Sequence, residues 1–209
     1  LDITVTGSQT HGAQPHAGID PIVVSSQIIN ALQTIPSRQM DAVRSPVIVT
    51  IGMIQGGVRY NIIPQTVQMQ GTVRYLNPET RQDLYNRIRR TVTETAAASG
   101  ATAEVTITEN AIPTVNPPAL MTRTRAAVVR ALGEDHVISG QPVMPAEDFA
   151  YFQQAVPGAF FFYGVNPPGV TAEQAAPNHN PNFFVHEPAM ETGLRAMLAV
   201  ALDRVGGGG

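Results

Sequence analysis

The chain has 209 residues, of which 43% are hydrophobic and 14% charged, with a net charge of −3. That is room for one large domain or two small ones, and the mildly acidic balance without a basic run argues against nucleic-acid binding. All thirteen basic residues are arginine and there is no cysteine, which excludes Schiff-base lysines, disulfides, thiolate nucleophiles and zinc–thiolate sites in one step. No apolar run approaches the roughly 20 residues of a membrane span, and the first residues are not a signal peptide.

Leu1 to Thr6 alternates Leu1, Ile3 and Val5 against Asp2, Thr4 and Thr6, the period of a half-buried strand. The stretch Gly7 to His16, GSQTHGAQPH, then sets His11 and His16 five residues apart among small residues and a proline. A loop between a strand and a helix can present an imidazole at a rigid surface; it can equally cap the next helix or face water. Asp20 is the expected N-cap of a helix with Pro21 at its first position, an apolar stripe of Ile22, Val23, Ile28, Ile29, Leu32 and Ile35, and a stop at Pro36.

Pro46 to Ile54 reads as a second strand, Gly56-Gly57 as a break, and Asn61-Ile-Ile-Pro64 as a turn. The third strand, Thr66 to Tyr75, sends Val67, Met69, Gly71 and Val73 one way and Gln68, Gln70, Thr72 and Arg74 the other. Asn77-Pro78-Glu79 repeats the cap-and-proline start, Leu84, Ile88 and Val92 recur at helical spacing, and Ser99-Gly100 ends the helix. Ala101 to Thr108 alternates as a fourth strand. The order β-α-β-β-α-β up to about Pro113 is the ferredoxin-like pattern, four strands with two amphipathic helices on one face.

Past Pro113 the pattern changes. Asn116-Pro-Pro is expected to start a helix through about Leu132, Glu147 to Ala155 a short one, and Glu187 to Val205 a last one. Gly158 to Val165, GAFFFYGV, is a continuous apolar run that suits a central strand covered on both faces. One such strand with three helices needs neighbours from outside the chain. Leu1 opens in mid-strand and Gly206 to Gly209 is a bare glycine run, so the chain is expected to be part of something longer.

Five stretches occur in an order that carries a resemblance: HGAQPH with DPI (His11 to Ile22), GGVRYNIIP (Gly56 to Pro64), GTVR (Gly71 to Arg74), AEDFAYF (Ala146 to Phe152) and HNPNF (His179 to Phe183). Together they resemble the metal-dependent aminoacylase/carboxypeptidase family of peptidases, which includes hippurate hydrolases, N-acyl-amino-acid amidohydrolases and auxin-conjugate hydrolases. The resemblance implies a mixed α/β (α+β) protein. Residues 1–113 would be a ferredoxin-like βαββαβ lid that dimerises, and residues 114–209 an incomplete C-terminal part of the catalytic domain. The N-terminal portion of that domain would be absent from this chain.

The same resemblance makes His11 the donor that stabilises the oxyanion, in several family members on the partner subunit's active site, and makes His179 a metal ligand. Asn180 stands where a serine or threonine more often follows that histidine. Asn61 and Arg74 match positions that hold the substrate's free carboxylate, a role guanidinium suits through paired hydrogen bonds. His16, His136 and His186 receive no role, and Glu147 and Asp148 do not match metal-ligand positions. In the complete enzyme two divalent ions, zinc or manganese, are expected. This chain would hold at most a partial site and be inactive alone. The implied substrate is an N-acyl amino acid or peptide, the assembly a homodimer through the lid, and the compartment cytoplasmic. The alternative is a non-catalytic dimerisation module.

Overall fold

The computed structural model describes residues 1–206. The chain divides into two compact units, Leu1–Pro113 with Pro142–Ala146, and Thr114–Gln141 with the residues from Glu147 onward. The first holds β1 (Asp2–Thr6), β2 (Thr10–His11), α1 (Pro21–Thr34), β3 (Val47–Gly56), β4 (Ile62–Ile63), β5 (Thr66–Tyr75), α2 (Arg81–Ala98) and β6 (Thr102–Thr106).

Its main sheet runs β3-β5-β1-β6 with every neighbouring pair antiparallel. That is the ferredoxin-like order expected from the element sequence. Both helices cover one face. Ile28 and Leu32 of α1 and Leu84, Ile88 and Val92 of α2 are fully buried against Ile3, Val5, Val67 and Met69 of the central strands. Each such side chain contributes about 1.5–3 kcal/mol of transfer free energy. The other face is polar: Gln68, Gln70 and Thr72 are exposed, and Gln70 donates to Asp2 Oδ1 at 2.8 Å.

Both caps form as the sequence dictates. Asp20 Oδ1 accepts from the Ile22 and Val23 amides at 2.8 and 3.3 Å, and Asn77 Oδ1 accepts from the Glu79 amide at 2.9 Å. The buried stripe of α1 differs from the expected one. Ile22 and Val23 lie on the outer side of the first turn and are exposed, while Val24 and Ser25 face the sheet. Pro36 does not stop the helix either, because Ile35–Gln39 continues it as one π turn. A proline lacks only its own N–H, so it is tolerated where the hydrogen-bond register widens.

The second unit contains α3 (Pro118–Leu132), α4 (Phe149–Ala155) and α5 (Pro188–Gly206). Asp203 of α5 is held by Arg123 Nε at 2.6 Å and by Arg130 at 2.5 Å, both on α3. Gly158 to Val165 does not form the expected strand, since no ladder partner is present among the described residues. The Asn116 side chain substitutes for a neighbouring strand at one position. Its Oδ1 accepts from Phe160 N and its Nδ2 donates to Phe160 O, both at 2.7 Å. Asn116 is thereby diverted from capping α3, whose N-cap is Pro117. The glycine run after Gly206 lies outside the described residues.

Candidate functional site

The loop after β1 is built to be stiff. At its root Ser8 and Ile19 exchange backbone hydrogen bonds of 2.9 and 3.1 Å. Gln65 fastens the same root from below. Its amide group donates to Gly7 O at 2.7 Å and accepts from Gln9 N at 3.2 Å, while its backbone oxygen accepts from Gly7 N at 2.9 Å. Further out, β2 and β4 form a two-stranded ladder in which Thr10 faces Ile63 and His11 faces Ile62. Gly12 N then donates to Asn61 O at 2.8 Å, a close approach in which a Cβ on Gly12 would meet Asn61 backbone atoms at 3.1–3.4 Å.

His11 and Asn61 therefore share one corner. The Ala13 amide donates to His11 Nδ1 at 3.0 Å. In neutral imidazole an accepting Nδ1 leaves the proton on Nε2. The exposed end of the ring thus carries an N–H donor. Asn61 is half-buried, and its side-chain Oδ1 is shielded from solvent in the same corner without a hydrogen-bond partner. His16 lies in the 3₁₀ turn Pro15–Ala17 and is exposed.

Arg74 is not in this corner. It pairs with Ile48 near the far end of β5, whereas the corner adjoins the Thr66 end. Eight strand steps of about 3.3 Å put Arg74 roughly 26 Å from Thr66. Asn61 and Arg74 of one chain thus stand near opposite ends of β5. Alternation placed Arg74 on the polar face correctly, but said nothing about which end of the strand faces the loop.

His179, in the second unit, is exposed and has φ of 68°, the one left-handed residue other than glycine among the described residues. Asn180 N donates to Pro177 O at 3.1 Å, closing a turn with His179 at its third position. Asn180 Oδ1 accepts from Asn182 N at 2.9 Å, so the residue after the histidine shapes the turn. A bulky residue held in the left-handed region costs of order 1–2 kcal/mol and such strain gathers at functional sites. Zinc needs three or four protein ligands. Among the described residues no three His, Asp or Glu side chains gather to hold a metal ion. The donors of this chain alone do not fit a metal centre.

Residues 1–100 match the family model described as the peptidase dimerisation domain of the M20 peptidases. The first unit belongs to that family. Over 202 residues the chain is 39% identical to thermostable carboxypeptidase 1 of Saccharolobus solfataricus, covering 95% of this chain and 50% of that protein. It is 34% identical over 202 residues to IAA-amino acid hydrolase ILR1-like 5 of Arabidopsis thaliana, covering 95% and 46%. A Bacillus subtilis structure described as a dinuclear metal binding peptidase from the M20 family superposes with a TM-score of 0.74 at 28% identity, covering 96% of this chain and 48% of that one. The chain spans about half the length of the curated relatives it matches. No helix among the described residues is long and apolar enough to cross a membrane.

Proposed function

We propose that this M20 dimerisation domain and the unit after it are part of a metal-dependent amidohydrolase that cleaves N-acyl amino acids or related amides and peptides. The observation that carries the reading is the hydrogen bond from the Ala13 amide to His11 Nδ1. It leaves Nε2–H free to donate to a substrate carbonyl oxygen as negative charge develops there, the task of an oxyanion hole. The clamped loop root and the β2–β4 ladder hold that donor in place, so little reorganisation is needed when charge appears. Asn61, whose backbone oxygen ties the same corner to Gly12, would orient the substrate through its side-chain N–H donors.

His179 is the single metal ligand this chain would offer. The remaining ligands for two divalent ions, zinc or manganese, and the general base would come from residues outside this sequence, in the portion that the relatives have in addition. Such ions would supply a water of lowered pKa and polarise the amide. The second unit fits a partial domain: Gly158 to Val165 is apolar yet has no strand neighbours among the described residues, and Leu194, Met197 and Leu202 of α5 are 61%, 61% and 69% exposed. The first unit would join two subunits as a homodimer. A chelator-stripped and metal-reloaded full-length protein should hydrolyse N-acyl amino acids, whereas the 209-residue chain should not with any divalent metal. Activity in the chain alone would contradict the division of labour. A dimeric full-length protein inactive with every metal would leave a non-catalytic dimerisation module.

A further inference from the structure

The strand that carries His11 does not run on unbroken from β1. Thr6 faces Thr66 in the main sheet and Thr10 faces Ile63 in the β2–β4 ladder, so three residues, Gly7, Ser8 and Gln9, stand opposite two, Pro64 and Gln65. One extra residue on one strand is the count of a bulge, and a bulge interrupts the ladder. Pro64 widens the interruption, because it has no N–H to donate across the pair. Among the described residues Gly7 O and Gln9 N consequently have no backbone partner on that side.

The Gln65 side chain fills the gap. Its Nε2 donates to Gly7 O at 2.7 Å, and its Oε1 accepts from Gln9 N at 3.2 Å. A primary amide carries a donor and an acceptor side by side, as a peptide group does across a ladder. Both partners fix its orientation, since Gly7 O can only accept and Gln9 N can only donate. On the other flank of the same segment, Ser8 N and Ser8 O are taken by Ile19 at 2.9 and 3.1 Å. Gly7 to Gln9 is thus paired on both flanks, and on one of them a side chain supplies the pairing.

We infer that Gln65 is a positioning residue for the His11 donor: its amide splices β2 to the main sheet and so fixes where the imidazole Nε2–H stands. Resting on the amidohydrolase reading above, this role holds whichever subunit's substrate the ring serves. An oxyanion donor works at a defined distance from the developing charge. A displacement of about 1 Å, caused far from the chemistry, can cost about a hundredfold in rate. Gln65 is exposed, so its bonds compete with water. The Ser8–Ile19 pair and the Gly12–Asn61 bond remain when its side chain is lost. Removing the amide therefore loosens the donor without unfolding the loop.

The test uses the full-length metal-loaded protein and Gln65→Met, which keeps the length of the side chain and removes both hydrogen bonds. With an N-acyl amino acid, kcat should fall about tenfold while KM stays within about twofold. In the His11→Ala background the same change should cost nothing further, because the donor it positions is already gone. A merely structural role would lower kcat by the same factor in both backgrounds. Amide exchange reads the splice without turnover: Gln9 should exchange about two- to tenfold faster in Gln65→Met, the range for one lost hydrogen bond, with Ile88 of the buried core unchanged. If His11→Ala keeps full turnover, the amidohydrolase reading of the site fails, and Gln9 exchange still decides whether Gln65 holds the strand. If His11→Ala loses turnover while Gln65→Met leaves kcat unaltered, or lowers it equally in both backgrounds, the Gln65 inference alone is overturned. Unchanged exchange at Gln9 overturns it as well.

Discussion

Gly18→Ala tests whether the histidine loop is held by its root. Gly18 has φ of −142°, an extended conformation that alanine adopts freely, so backbone preference does not oppose the change. Space does: a Cβ there would lie 2.4 Å from Ser8 O and 2.6 Å from Thr10 Cγ2. Ser8 must move away, which breaks its two backbone hydrogen bonds with Ile19 at 2.9 and 3.1 Å. At about 0.5–1.5 kcal/mol each, the root opens more easily by about 1–3 kcal/mol. Because the opening is local, amide exchange at Ser8 and Ile19 reads it directly. Exchange there should accelerate about five- to 150-fold, at a factor of ten per 1.4 kcal/mol. Amides of Ile28 and Leu84, in the fully buried core, should change far less. Gly52→Ala is the control, since a Cβ there meets nothing within 4 Å. Unchanged exchange at Ser8 and Ile19 in the Gly18→Ala protein would refute the clamped root.

Two further outcomes follow from charge and surface. The Asp203 carboxyl is held below its ordinary value, first by the Arg123 hydrogen bond and then by the charges of Arg123 and Arg130. A depressed carboxylate stabilises the fold fully above its unfolded value of about 3.9, and loses that contribution as pH falls through the lower native value. Helix content followed on acidification below about pH 4 should therefore decline less steeply in Asp203→Asn than in the unaltered chain; parallel curves would mean the arginine clamp carries no linkage. The chain should sediment as a dimer at high micromolar concentration through its first unit, and a clean monomer would count against that assembly.

The local grammar of the first unit was legible because its signals are local. Asp20-Pro21 and Asn77-Pro78 specify caps, and the alternation of Thr66 to Tyr75 specifies a strand with one buried face. Where the sequence reading missed, the deciding interaction was distant in the chain. Strands of two residues, Thr10–His11 and Ile62–Ile63, have no period to detect and form where Gly12 meets Asn61, far along the chain. Gln65 lies in no motif or periodic run, yet its side-chain amide ties down Gly7 and Gln9. Gly158 to Val165 has strand composition, but a strand requires a neighbour, and among the described residues the Asn116 side chain stands in for one at Phe160. Ile22 and Val23 were misassigned because the buried stripe of α1 begins with Pro21, Val24 and Ser25, so a small polar residue holds an inward position that hydrophobicity alone does not mark. Alternation put Arg74 on the polar face of β5, but which end of the strand it occupies relative to the histidine loop depends on pairing that the sequence does not display.

The account turns on His11 acting as a fixed N–H donor and not as a metal ligand. The most direct measurement is steady-state hydrolysis of an N-acyl amino acid by the full-length protein with and without His11→Ala, alongside the metal content of each. The turnover number should fall about a hundredfold to a thousandfold, the usual loss of one oxyanion donor, with metal content unchanged and KM nearly so. Turnover unaffected by His11→Ala, or metal lost together with activity, would contradict it.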